Sequence, residues 1–269
     1  MLPPKISIFS ALFVLVSANS LTPAAARDLC AERPGQTTPP CTVEPGGVVL
    51  ETGLVSWSLQ QSSKDRSDTF TIGQSTLRIG IADHGEIAIG LTPFATERVR
   101  DKLAALANRQ SGVGDITFSV KRSFGKADAP IVAIKVYVTA PVGAAPSGAG
   151  DWTGGAALPV SIPLSDAIEL SLTPEINSIV NGSGSGSGHH LSFGSAGGLE
   201  FKLSNTLGLN TDVRLLRDND PVGATTKATL GTSLAYLPSD KLQFDLGGNF
   251  GINKDTPDVE LYVGIVKRF

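Results

Sequence analysis

From Gly47 onward, apolar residues recur at every second position, a spacing that gathers them on one face of an extended strand. Leu77, Ile79 and Ile81 alternate with Arg78 and Gly80, and Ile116, Phe118 and Val120 alternate with Asp115, Thr117, Ser119 and Lys121. Leu242, Phe244, Leu246, Phe250 and Ile252 oppose Gln243, Asp245, Gly247 and Asn249 in the same way. These runs predict twelve strands, centred on Leu54, Thr76, Ala88, Ser119, Val136, Leu158, Leu172, Ala196, Thr211, Gly231, Leu246 and Gly264. Most are about 10 to 14 residues long, above the five or six usual in a globular sheet and near the roughly nine to eleven that cross a bilayer at a tilt.

The connections alternate in character. Tight turns fall at Asp83-His84-Gly85, Lys126-Ala127-Asp128, Leu164-Ser165-Asp166, Ser204-Asn205-Thr206 and Pro238-Ser239-Asp240, each joining an even strand to the next odd one. Connections out of odd strands are longer, as in Ala95 to Ser111, Gly143 to Asp151 and Asn181 to Gly188. The pattern predicts an all-β protein: an up-and-down antiparallel transmembrane β-barrel of about 12 strands, with short periplasmic turns and longer extracellular loops. Glu97 to Asn108, where Val99, Leu103 and Leu106 share one face, predicts a short helix on a loop. A soluble β-sandwich would also alternate apolar and polar positions, but it would not keep short connections at one end throughout.

Residues 1–26 read as a secretory signal peptide, with Lys5 before an apolar run and Ala24-Ala25-Ala26 at the cleavage site. Residues 27–46 form a short Pro-rich periplasmic segment, and the sequence leaves open whether that segment enters the lumen. Residues 47–269 form the barrel. Cys30 and Cys41, the two cysteines of the chain, pair most simply with each other in an exported protein. A metal site is the alternative, with no His nearby. Hydrophobic content of 41% excludes disorder. The net charge of −3 removes the basic field that nucleic-acid partners require.

The alternating run that opens with Val259 to Ile265 finishes in Phe269, an ending that resembles the terminal signal read by the outer-membrane barrel assembly machinery, with Lys267 where an apolar residue is usual. Arg33-Pro34-Gly35, Pro45-Gly46-Gly47 leading to Glu51 and Gly53, Leu77 to Ile81, Gly112 to Ile116, Ala140-Pro141-Val142-Gly143 and Leu158 to Asp166 resemble a family of Gram-negative outer-membrane transporters named for the meta-pathway of phenol degradation. The resemblance covers most of the mature chain. It implies a barrel in the cell outer membrane, in contact with outer-membrane lipid, that passes small-molecule solutes.

With the apolar parity facing lipid, the opposite parity lines the lumen. It carries Glu51, Arg78, Asp115, Lys121, Lys135, Tyr137, Glu169, Glu175, Glu200, Lys202, Asp212, Arg214, Lys227, Asp245, Glu260, Tyr262 and Arg268, eight acids against seven bases. The candidate selectivity residues are Arg78, Asp115, Lys121, Lys135, Glu169, Glu200, Lys202, Asp212 and Arg214. Such walls suit a hydrated, weakly selective passive pore for small molecules; that aromatic or hydrophobic ones are among them is what the family resemblance implies. They equally suit a structural barrel filled by ion pairs, because twelve strands lie between filled eight-stranded barrels and open sixteen-stranded channels. An outer-membrane lipase is the third reading. It needs a fixed nucleophile–base pair, whereas His84 falls in a turn and His189-His190 follow a Gly/Ser loop, so no enzyme, cofactor or metal is expected.

Overall fold

The computed structural model of the chain describes residues 29–104, 106–125, 130–182 and 187–269. The expected signal peptide and the expected turn at Lys126 to Asp128 lie outside the described residues. Fifteen strands form one antiparallel sheet that closes on itself into a twelve-stave barrel.

Nine staves are single strands: β1 (Val48–Gln61), β2 (Asp65–Ala82), β7 (Ile131–Ala140), β10 (Ile168–Val180), β11 (His189–Lys202), β12 (Leu207–Asp218), β13 (Thr225–Ser239), β14 (Leu242–Gly251) and β15 (Val259–Arg268). Three are interrupted: β3 (Gly85–Leu91) with β4 (Phe94–Asp101), β5 (Ala107–Gly112) with β6 (Ile116–Phe124), and β8 (Thr153–Ala157) with β9 (Val160–Ser165). Two of the breaks fall at proline, Thr92-Pro93 and Leu158-Pro159, where the missing N–H cannot serve a ladder. The barrel closes where β1 pairs with β15 from Val49↔Arg268 to Leu59↔Val259. Phe269 adds one more bond, its N–H donating to the Val48 carbonyl.

The expected helix over Glu97 to Asn108 is a β-hairpin. Residues 94–101 pair with β2 from Ile72↔Phe94 to Asp65↔Asp101, and β5 pairs back on β4. The long edge of β2 supplies eight register positions, and that tertiary pairing outweighs the local helical spacing of Val99, Leu103 and Leu106. The hairpin rises beyond the neighbouring staves, because on that edge β7 pairs with β6 and not with β5, and the pairing stops at Ile116↔Ala140. Beside it, Gly73 takes a φ of +72° where β2 passes from pairing with β3 to pairing with β4. A side chain there would be strained and would press on Pro93, 3.3 Å from where its Cβ would sit.

Polarity is inverted relative to a soluble domain. Ile87, Ile89, Phe118, Val120, Phe193, Phe244 and Leu261 are exposed on the outer wall, whereas Arg78 and Lys121 head the largest fully buried side chains. An outward apolar wall around a polar interior is the arrangement a lipid-facing barrel requires.

Candidate functional site

The segment preceding β1 lies inside the barrel, across the half that carries the short turns. It is stitched to β2 where it joins the wall: the Gly46 N–H donates to the Gly80 carbonyl at 2.8 Å and the Gly80 N–H to the Gly47 carbonyl at 3.1 Å. The fit leaves no room for a side chain at position 80, since a Cβ there would run into the Glu44 carbonyl. Cys30 and Cys41 are bonded to each other within this segment.

Two groups of wall residues hold the segment. On one side is a charge ladder over adjacent staves. Arg78 on β2 meets Glu51 on β1 at 2.7 Å and Glu86 on β3 at 2.8 Å. Lys121 on β6 meets Glu86 at 3.1 Å, and Glu32 of the segment bridges Lys121 at 2.9 Å and Lys135 on β7 at 2.6 Å. Three acids and three bases thus cancel, as burial demands, because an unpaired ion here would forfeit its hydration. Backbone N–H groups of the segment join in: Glu32 donates to Glu51 and Val43 to Glu86. Burial alone would raise the Glu32 carboxyl, but Lys121, Lys135 and Arg78 together outweigh that and hold it well below the ordinary carboxylate range.

On the opposite side, Arg33 pairs with Asp245 on β14 at 2.8 Å and lies over the Tyr262 ring on β15, 5.5 Å from its centre. Gln36 donates to Asp212 on β12 from both its backbone N–H, at 3.0 Å, and its side-chain amide, at 2.6 Å, and accepts from Thr229 on β13. Thr38 N–H donates to the Thr173 hydroxyl on β10.

Above this plug lies a cavity of about 760 Å³. Glu32, Gln36 and Thr38 form its floor, and its walls reach Thr92 and Pro257 at the loop end. Arg214 and Glu175 meet there at 2.7 Å, Asn177 donates to Glu175, and the Tyr137 hydroxyl bonds Asn177. A second gap of about 160 Å³ runs beside the plug, between Arg33 and the wall at Gly53, Ser56, Glu260 and Tyr262.

The sequence-derived candidates divide between these places. Arg78, Lys121, Lys135 and Asp212 grip the plug, and Arg214 faces the cavity. Asp115 borders the cavity, but its carboxylate is occupied by the N–H groups of Gly143 and Ala149, which pins the loop after β7. Glu169 and Glu200 are cross-strand neighbours, with the Ser171 hydroxyl donating to Glu200, and Lys202 is exposed at the short-turn rim. Glu32 and Glu86 were not among the candidates. Glu86 alternates with Ile87 and Ile89 and was legible by parity, whereas Glu32 lies in an aperiodic segment that gives no such signal. His189 and His190, expected on the flexible loop, begin β11 instead, where His190 Nε2 meets Asp218 at 2.7 Å.

Residues 31–269 match the family described as "Putative MetA-pathway of phenol degradation". The chain belongs to that family. No curated protein matches its sequence. Among solved structures, the fold of this phenol-degradation family member is similar to the COG4313 outer membrane channel from Pseudomonas putida F1, with a TM-score of 0.70 and 15% identity over 88% of this chain and 99% of that one. It is also similar to the NanC porin, with a TM-score of 0.50 and 8% identity over 82% and 98% of the two chains. The shared property is the outer-membrane barrel fold.

Proposed function

We propose that the protein is an outer-membrane channel that lets small solutes move down their gradients, entering the cavity from the loop side and passing the plug. The observation that carries this reading is the 760 Å³ polar cavity ending on a plug held by side-chain bonds and not by continuous backbone pairing. A volume of that order holds a small organic molecule. The lining of Thr, Gln, Asn and Tyr with paired charges suits solutes that combine a hydrogen-bonding group with an aromatic ring, as a phenol does. The family description points the same way. Export by residues 1–26, recognition of Phe269 by the assembly machinery and a loop end facing out of the cell belong to the same proposal.

The test is planar-bilayer conductance and liposome flux of phenol by refolded protein, with and without residues 29–45. We expect small conductance from the intact chain, a several-fold rise without the segment, and phenol flux in both. Silence in both forms, with no flux, would leave the competing reading, a structural barrel filled by its own plug, which the charge ladder favours.

A further inference from the structure

The hairpin that rises above the barrel carries an unusual outer face. Register pairs share a face, so the outward row Trp57, Phe70, Thr96 and Ser111 is followed toward the loop end by Leu59, Asp68, Arg98 and Arg109, and then by Gln61, Arg66, Arg100 and Ala107. Four guanidiniums therefore sit on adjacent positions of one outward surface with a single carboxylate among them. Asp68 is engaged by Arg66 at 2.7 Å and by the Trp57 indole N–H at 3.2 Å, and Arg109 donates to the Thr96 hydroxyl. Arg98, Arg100 and Arg109 are exposed. The surface carries +3 on a chain whose net charge is −3. Directly below it, on the same face, lie Phe70, Ile72 and Phe94, all exposed to at least 40%.

We infer that this surface binds the phosphorylated headgroup of an outer-leaflet glycolipid. The placement selects the ligand. Arginines that looked into the lumen would serve solutes, but these point away from it, one strand-row above an apolar wall that only lipid chains would cover. Guanidinium forks match phosphate oxygens in pairs, and a cluster of them is the usual answer to a dianionic headgroup. Basic residues at the edge of an apolar band gain further from the negative potential of the membrane surface. Free phosphate would meet the same charges without the apolar contacts below, so the lipid is the occupant the face is built for. The inference rests on the proposal that the loop end faces out of the cell.

Calorimetric titration of the full chain, refolded in detergent, with diphosphorylated lipid A, its dephosphorylated form and inorganic phosphate tests the site. Wild type should bind the diphosphorylated lipid at least about tenfold more tightly than either control, and R98Q/R100Q/R109Q should lose about tenfold. Asp68→Asn should tighten binding, because it removes the carboxylate that competes for the guanidiniums. Equal affinity of the triple variant and wild type, or of the two lipid forms, would overturn the site. R100Q alone, whose exposed side chain leaves the barrel wall undisturbed, supplies the same readout at about two- to threefold if the triple variant does not fold. Conductance separates the two proposals: the triple variant should conduct like wild type, and absence of conductance in both would sink the channel reading while leaving the lipid titration to stand or fall on its own.

Discussion

The two halves of the barrel are walled by the same twelve staves and yet solve opposite problems. Toward the short turns, the lumen is packed: Arg78 has no exposed surface, Glu51 and Glu86 are nearly as buried, and the segment before β1 supplies the bonds that water would otherwise make. Toward the loops, the bases of the corresponding pairs, Arg214 and Lys227, stay hydrated. The Arg214 side chain is 38% exposed while pairing with Glu175. The difference teaches that lumen polarity by itself does not distinguish a pore from a filled core. What distinguishes them is whether each charge finds its partner within the protein or in water.

The sharpest way to break this comparison is Arg78→Ala. It leaves Glu51 and Glu86 buried without their shared counter-charge and should cost about 3 to 5 kcal/mol in urea unfolding of the refolded barrel. Arg214→Ala, in the hydrated half, should cost under about 1 kcal/mol. If the two losses are equal, the halves are not energetically distinct.

Next in size is a change to the outer wall. Leu261→Arg places a charge on an exposed lipid-side position and should cost about 2 to 4 kcal/mol in vesicles if it sits near the midplane, where no lumen partner can rescue it. A neutral result would mean that this surface does not face hydrocarbon.

A smaller effect is expected from acid. Because the folded Glu32 carboxyl is held low, its contribution to plug anchoring is fully present above the ordinary carboxylate value, near 4.3, and is lost as the pH falls through the lower folded value. Conductance should therefore rise reversibly in strongly acidic buffer, and Glu32→Gln should conduct more at neutral pH and show a reduced acid step. An undiminished step in Glu32→Gln would place the titrating group elsewhere.

The smallest change belongs to the cavity itself. Arg214→Gln removes one of the charges above the plug, leaves Glu175 with the Asn177 amide and no counter-charge, and should shift reversal potentials toward cation preference by only a few millivolts. A shift toward anions would mean that Arg214 does not face the permeation path.

Period-two alternation made the staves legible, because a barrel has no layer other than its two faces, and each run of Ile, Phe and Val against polar residues reports which face is which. It also exposed Arg78, Lys121, Lys135 and Asp212 as inward. The hairpin at Glu97 to Asn108 was not legible: Val99, Leu103 and Leu106 satisfy a helical spacing locally, and only the extra length of β2, a distant fact of pairing, turns them into strand and turn. The plug was hidden for a different reason. Its residues bond by single side chains and isolated N–H groups to strands between β1 and β15, and no periodicity in one segment encodes partners scattered over more than two hundred positions of chain.

The stitched junction at Gly46 and Gly80 also bears on the order in which the molecule can be built. The segment touches β1, β2 and β3 at one side and β12, β13, β14 and β15 at the other, so it ties together the very strands whose meeting seals the cylinder. A chain already sealed would have to bring this segment in from the short-turn end and past the wall charges it pairs with. A curled open sheet could instead lay it against the inner surface first and fold over it. Plugging and closure then become one cooperative step, with the segment acting as the mandrel around which the last staves are bent.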